Sequence, residues 1–143
     1  MFLKPSTDLG LPTTLADWLV RHRYTIPWVE GTAKDRNIIQ GQFARPGQDD
    51  WAVLASVDGY STILVFWNGS TSAPGYVARR RDDSIRALYR ATPDFIAEHY
   101  RRYGGPRPPS PLDHDGIDDG WMGKGSNVWY FHRGFWRMLT GAD

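Results

Sequence analysis

The stretch Asp50-Trp51-Ala52-Val53-Leu54-Ala55-Ser56-Val57-Asp58-Gly59-Tyr60-Ser61-Thr62-Ile63-Leu64-Val65-Phe66-Trp67-Asn68-Gly69 decides the fold. Residues 51–56 form an apolar run of strand length. Asp58-Gly59 is a hairpin signal, because both residue types accept the positive φ of a two-residue turn. Residues 61–67 are then the return strand. Asn68-Gly69 repeats the turn chemistry and predicts a meander rather than an isolated hairpin. Successive side chains on a strand face opposite sides, and Ile63-Leu64-Val65-Phe66-Trp67 is apolar on both. This strand is therefore predicted to be central and covered on its two faces.

Upstream, residues 37–43 read as another strand, closed by a turn at 45–48, and residues 27–36 as a loop. Leu15, Trp18, Leu19 and His22 recur at i, i+3, i+4 and i+7, which predicts a helix over 14–23. Thr13 and Thr14 offer its N-cap, Asp17 a capping-box partner, and Pro27 forbids its continuation. Downstream, residues 70–83 are polar and include Arg79-Arg80-Arg81, while 84–90 fit strand or helix. Thr92 caps a second helix with Pro93 at its first position. Its predicted buried stripe is Phe95, Ile96, His99, Tyr100 and Tyr103. Glu98 lies at helical spacing from Arg101 and Arg102, and Gly104-Gly105-Pro106 ends the helix. Residues 107–112 form a proline-rich strap. A last hairpin pairs 128–131 with 135–139 around Arg133-Gly134. Residues 1–143 are thus expected to be one α+β domain, an antiparallel meander-like sheet of about five to seven strands with two packed helices.

The chain has 17 basic against 16 acidic residues, so no global field recruits nucleic acid or an anionic membrane. Arg79-Arg80-Arg81 is followed at once by Asp82-Asp83, which cancels most of its local field. The absence of cysteine excludes disulfides, thiolate catalysis and cysteine zinc sites. No apolar window reaches membrane-spanning length, and the N-terminus lacks the apolar run of a signal peptide. The default compartment is cytoplasmic, with a processed exported chain as the alternative. Seven tryptophans, seven tyrosines and six phenylalanines exceed what a small core needs, which points to an aromatic binding surface.

Two segments share a pattern. Residues 41–54 contain Gly47-Gln48-Asp49-Asp50 and residues 113–121 contain Gly116-Ile117-Asp118-Asp119. In both, a glycine stands three residues before an aspartate that leads into a tryptophan-bearing stretch. An aromatic hairpin follows each within about twenty residues. The first segment resembles the FG-GAP or VCBS repeat of integrin-like β-propellers, whose loop reads Gly-Asp-Phe-Asn-Gly-Asp-Gly-x-x-Asp-Leu-x-Val. It keeps Gly41, Phe43, Gly47, Asp50, Ala52 and Val53, and carries Gln42, Ala44 and Pro46 at ligand positions. The resemblance therefore implies no metal in the first loop. For the second it implies a calcium loop with Asp113, Asp115 and Asp119 as ligands, Gly116 at the sixth position and the Ile117 carbonyl at the seventh. Pro111 stands at the first ligand position and supplies no side-chain oxygen. The other reading is that these aspartates cap turns by accepting backbone N–H bonds. The C-terminal residues 134–143 also look like the ending of small bacterial proteins.

No G-x-S-x-G, P-loop or H-E-x-x-H pattern is present. His22 and His99 fall on helix stripes. His114, among three carboxylates, is the candidate general base of a hydrolytic enzyme. Recognition is favoured over turnover. The expected function is a non-enzymatic protein-recognition module, such as an inhibitor or immunity-type protein, with Tyr130, Arg133 and Trp136 as contacts and Trp129 turned inward. Core packing is the alternative for each aromatic. A carbohydrate-binding module is the rival reading, and calcium at the second Asp-Gly loop is the one cofactor in prospect.

Overall fold

A computed structural model describes residues 1–121 and 123–141. Among the described residues the chain is mostly β, with ten strands in three antiparallel sheets and two α-helices. In order these are β1 (Phe2–Leu3), α1 (Thr13–Arg21), β2 (Ile26–Pro27), β3 (Ile38–Gly41), β4 (Asp50–Val57), β5 (Tyr60–Phe66), β6 (Gly75–Arg81), β7 (Arg86–Ala91), α2 (Pro93–Tyr103), β8 (Gly116–Trp121), β9 (Gly125–His132) and β10 (Phe135–Thr140). Strands β3-β4-β5-β6 form sheet I and β10-β9-β8-β7 form sheet II, while β1 and β2 make a short ribbon. This overturns the expected single α+β sheet of five to seven strands. The meander does run through β3 to β6, but the chain then crosses to a second sheet.

Side-chain alternation shows how the layers stack. Ala52, Leu54, Ile63 and Val65 face Leu88 and Ile117 of sheet II, with Phe43 closing the same cluster. The opposite face of sheet I presents Val53, Ala55, Leu64 and Phe66 to Leu15, Trp18 and Leu19 of α1. On the far side of sheet II, Val128, Tyr130 and Leu139 meet Ile96 of α2. The order is therefore α1, sheet I, sheet II, α2. Strand β5 has the predicted cover on both faces, one side by a helix and the other by a sheet.

Of the strands that went unread, β6 and β8 have compositions that oppose the conformation, and the other two, β1 and β2, are only two residues long. In β6, Arg79 and Arg81 lie against the ring of Tyr60, with guanidinium carbons 3.8 and 5.7 Å from its centroid. Their stems cover apolar surface while the charges stay wet, so an arginine run serves as strand. In β8, Gly-Ile-Asp-Asp-Gly-Trp has little β propensity, but packing requires it. A Cβ at Gly116 would meet the Trp129 carbonyl oxygen and Val128 Cγ1, each at 3.0 Å. The predicted calcium loop is thus largely a paired strand.

The helices differ in how well they are seated. Helix α1 starts one residue before its predicted span, with Pro12 rather than a threonine at its N-cap. His22 is the residue after it, stacked on Trp18 at 3.9 Å and bonded through Nδ1 to the Trp18 carbonyl at 2.7 Å. Thr92 caps α2, its hydroxyl accepting the Phe95 N–H at 3.2 Å. The predicted buried stripe of α2 is mostly outside. Ile96 is buried, whereas Phe95 is 38% and Tyr103 68% exposed. Phe95, His99 and Tyr103 instead contact one another along the helix at i, i+4, with ring centroids 5.9 and 4.8 Å apart. Glu98 pairs with Arg101 and Arg102 on the exposed side.

Buried Asn37 joins the sheets at one corner. Its side-chain oxygen accepts the Leu88 N–H at 3.1 Å and its amide donates to the Arg86 carbonyl at 3.4 Å. It thereby engages backbone groups on the outer side of β7.

Candidate functional site

The two Asp-Gly segments are not equivalent in space. Asp50 is the first residue of β4 and clamps two turns. Its carboxylate accepts the Phe43 N–H at 3.0 Å, the Asn68 N–H at 2.9 Å and the Gln48 side-chain amide at 2.9 Å. Asp119 lies in the middle of β8, opposite Leu88 and Asn127. One aspartate organises a loop; the other is part of a ladder. The chain paths differ, so the shared pattern is coincidental as architecture. The segments do touch: the Asp115 N–H donates to the Gln42 carbonyl at 2.8 Å and the Gln42 N–H to the Asp115 carboxylate at 2.9 Å.

The three predicted metal ligands point to three different partners. Asp113 bonds to His114 Nδ1 at 2.8 Å. Asp115 caps Gln42. Asp119, with no exposed surface, accepts Arg86 Nε at 3.0 Å and Nη2 at 2.8 Å, a bidentate pair in the interior. Among the described residues no three ligating side chains converge on one point. Asp115 accepts a backbone N–H, but from Gln42, 73 residues away, rather than from its own turn, and a buried ion pair describes Asp119.

Arg86 gave no signal in the sequence, since a partner 33 residues away cannot be read from spacing. Its five N–H groups are all used: two on Asp119, two on the carbonyl and hydroxyl of Ser61, and one on the Ala78 carbonyl. The bulge that presents the last of these places Ala78 at φ 59°.

Asp118 lies on the other face of β8. Burial, the largest cause, pushes its carboxyl above the ordinary value of 3.8, and nearby Asp119 adds to this against a Ser126 hydrogen bond. A folded state that holds this proton more tightly than the unfolded chain gains stability at low pH. That gain is lost as pH rises from 3.8 through the raised value. Asp118→Asn is accordingly expected to stabilise the protein at pH 7 by up to about 1 kcal/mol, and by nothing at pH 3. Urea unfolding at both pH values checks this; an equal change at both would remove the carboxyl charge as the cause.

The candidate general base is inside the fold. His114 is 6% exposed, with Nε2 at 2.7 Å from the Phe131 carbonyl and Nδ1 between Asp113 and the Tyr130 hydroxyl, 3.0 Å away. Nε2 faces an acceptor and so carries its hydrogen. Both nitrogens have partners, and the ring stacks on Tyr130 at 4.2 Å. This histidine pins residues 113–115 to sheet II and presents no free nitrogen to a substrate.

The predicted contact residues divide in the same way. Tyr130 is fully buried, which corrects its expected place on the surface. It faces away from Trp136 because the two are offset by one position in the ladder, where Tyr130 opposes Arg137 and Phe131 opposes Trp136. Its hydroxyl accepts the Asp113 N–H at 3.3 Å, and burial raises its ionisation above the ordinary tyrosine value. Trp129 packs into the core between the sheets. Trp136 is half-buried, stacked on Trp67 at 5.8 Å and tilted against Phe131 at 5.1 Å. Arg133 is exposed at φ 50°, followed by Gly134 at φ 81°, the two left-handed positions of a tight turn.

The sequence reading missed Phe135, 73% exposed, and Met138, 53% exposed, which flank exposed Arg137 on β10. Strand β10 is the last of sheet II, and among the described residues no third strand pairs with it. The register His132 to Phe135 around a two-residue turn directs the N–H and C=O of residues 135, 137 and 139 toward β9. Those of Trp136 and Met138 therefore point to the open side. His132, half-buried beside the turn, has its imidazolium disfavoured by lost solvent first and then by Arg133 and Arg137. No family model, curated protein or solved structure matches the chain.

Proposed function

We propose that the protein is a recognition module that captures an acidic, extended segment of a partner protein along β10, as an inhibitor or immunity-type protein would. The observation that carries this reading is a free strand edge bearing Arg133 and Arg137 beside exposed Phe135 and Met138. An added strand would satisfy the outward backbone groups of Trp136 and Met138, and its carboxylates would meet the two guanidinium groups. Trp136 is already held by Trp67 and Phe131, so part of the surface is ordered before binding. In this reading Arg133 and Trp136 are contacts, and Tyr130 supports the hairpin from beneath.

The test uses a peptide of alternating glutamate and valine, followed by amide chemical shifts. The expected result is binding centred on residues 135–139, weakened by salt, and weakened more than about tenfold by Arg133→Glu/Arg137→Glu. Met138→Pro removes an N–H that, among the described residues, no strand uses, so it should abolish binding while leaving the fold intact. Equal binding by Met138→Pro, or by the matching lysine-valine peptide, would reject the proposal.

A further inference from the structure

A second concave site lies at the end of the sandwich where the β1–β2 ribbon approaches the turn between β6 and β7. It encloses about 520 Å³, within the range that small organic ligands occupy. Its depth is set by Leu54, which is fully buried, and by Ser61 and Arg86. Its walls are apolar: Trp28, Pro27 and Val29 on one side, with Phe2 and Ile85, about half exposed, at the mouth.

Three carboxylates, Glu30, Asp82 and Asp83, line this cavity against two cations, Arg86 and the Met1 terminus. Arg86 at its floor is neutralised by Asp119, and each of its N–H groups is already bonded. It offers nothing to an anion. Asp82, Asp83 and Glu30 line the cavity, and among the described residues none of the three forms a salt bridge. Asp82 is oriented by the Ser56 hydroxyl. The cations beside the mouth are Lys34 and the Met1 terminus, and Arg80, Arg81 and Lys124 border the adjoining hollow that shares Asp83 and Ser84 with this cavity. Lys34 holds its ammonium 5.6 Å from the centroid of the Trp28 ring. The Trp28 N–H is bonded to the Thr32 carbonyl at 3.0 Å, so that residue's polar edge is spent and its ring face attracts positive charge.

We infer that this cavity binds a small organic cation with an apolar body, the body against Phe2, Ile85 and Trp28 and the ammonium among Asp82, Asp83 and Glu30. The site is separate from β10 and does not depend on the function assigned to that edge.

Phenethylammonium is the probe, compared with neutral 2-phenylethanol and anionic 3-phenylpropanoate, by calorimetry and amide chemical shifts. The amine is expected to bind about tenfold more tightly than the alcohol, with shifts clustered around Trp28 and residues 82–86, and the anion not at all. Glu30→Gln/Asp83→Asn alters exposed side chains and should lower amine affinity about tenfold, to that of the alcohol, while leaving the alcohol unchanged. Trp28→Leu keeps the wall apolar and should weaken the amine more than the alcohol. Failure of the amine to bind, equal binding of all three compounds, shifts centred elsewhere, or an unchanged affinity in Glu30→Gln/Asp83→Asn would each overturn the inference.

Discussion

Arg86→Ala is expected to cost about 3–5 kcal/mol of folding free energy, because it leaves the Asp119 carboxylate buried without its counter-charge. Asp119 has no exposed surface, and the Arg86 side chain is 1% exposed. Arg80, the other cation near Asp119, is 3.8 Å away and partly in solvent, too distant to replace a bidentate pair. The loss also strands the Ser61 and Ala78 carbonyls, which tie β5 and β6 to β7 through the same guanidinium. Removing both charges together should be far milder. Arg86→Met/Asp119→Leu fills similar volume with no ion to desolvate, and is expected to recover most of the loss. Urea unfolding of the three proteins measures this. If the single variant costs less than about 1 kcal/mol, the pair does not hold the two sheets in register.

Phe66→Ala is the second large effect, expected at about 3–5 kcal/mol. Phe66 is fully buried, and its ring meets Trp18 edge-on, with centroids 5.4 Å apart at 81°. With Val53, Ala55 and Leu64 it forms the surface on which α1 is seated, so truncation opens a cavity between two packed layers. Loss of near-ultraviolet ellipticity from Trp18 should accompany the loss of stability. A cost below about 1 kcal/mol would place the stabilising core elsewhere.

What the sequence disclosed was local. The β4–β5 hairpin was readable because Asp58-Gly59 separates two apolar runs, and the final hairpin because Arg133-Gly134 does the same. The division into two sheets was not readable. A strand that is apolar on both faces needs two covers, but nothing in Ile63-Leu64-Val65-Phe66 says whether a cover is a helix or a sheet. Strand β8 was hidden because Asp118 and Asp119 look like loop residues until Arg86 is placed beside one of them. The contact residues were half legible. The hairpin and Arg133 could be found from turn chemistry, but the face on which Tyr130 stands depends on which side of sheet II meets sheet I. Phe135 shares the face of Tyr130 and Met138 that of Trp136, so their exposure comes from the place of β10 at the sheet edge, which no local pattern discloses.

Asn37 bears on how copies of this protein can assemble. A primary amide is chemically a piece of main chain, and this one occupies backbone groups of β7 that another molecule's strand would need. Sheet II can therefore be lengthened at β10 but is obstructed at β7. Two molecules joined β10 to β10 would make a closed pair related by a twofold axis. Head-to-tail growth through sheet II, which needs its open edge to meet the opposite edge of the same sheet in the next copy, is blocked at its first step. A sheet with one bare edge and one occupied edge is in this way guarded against endless extension.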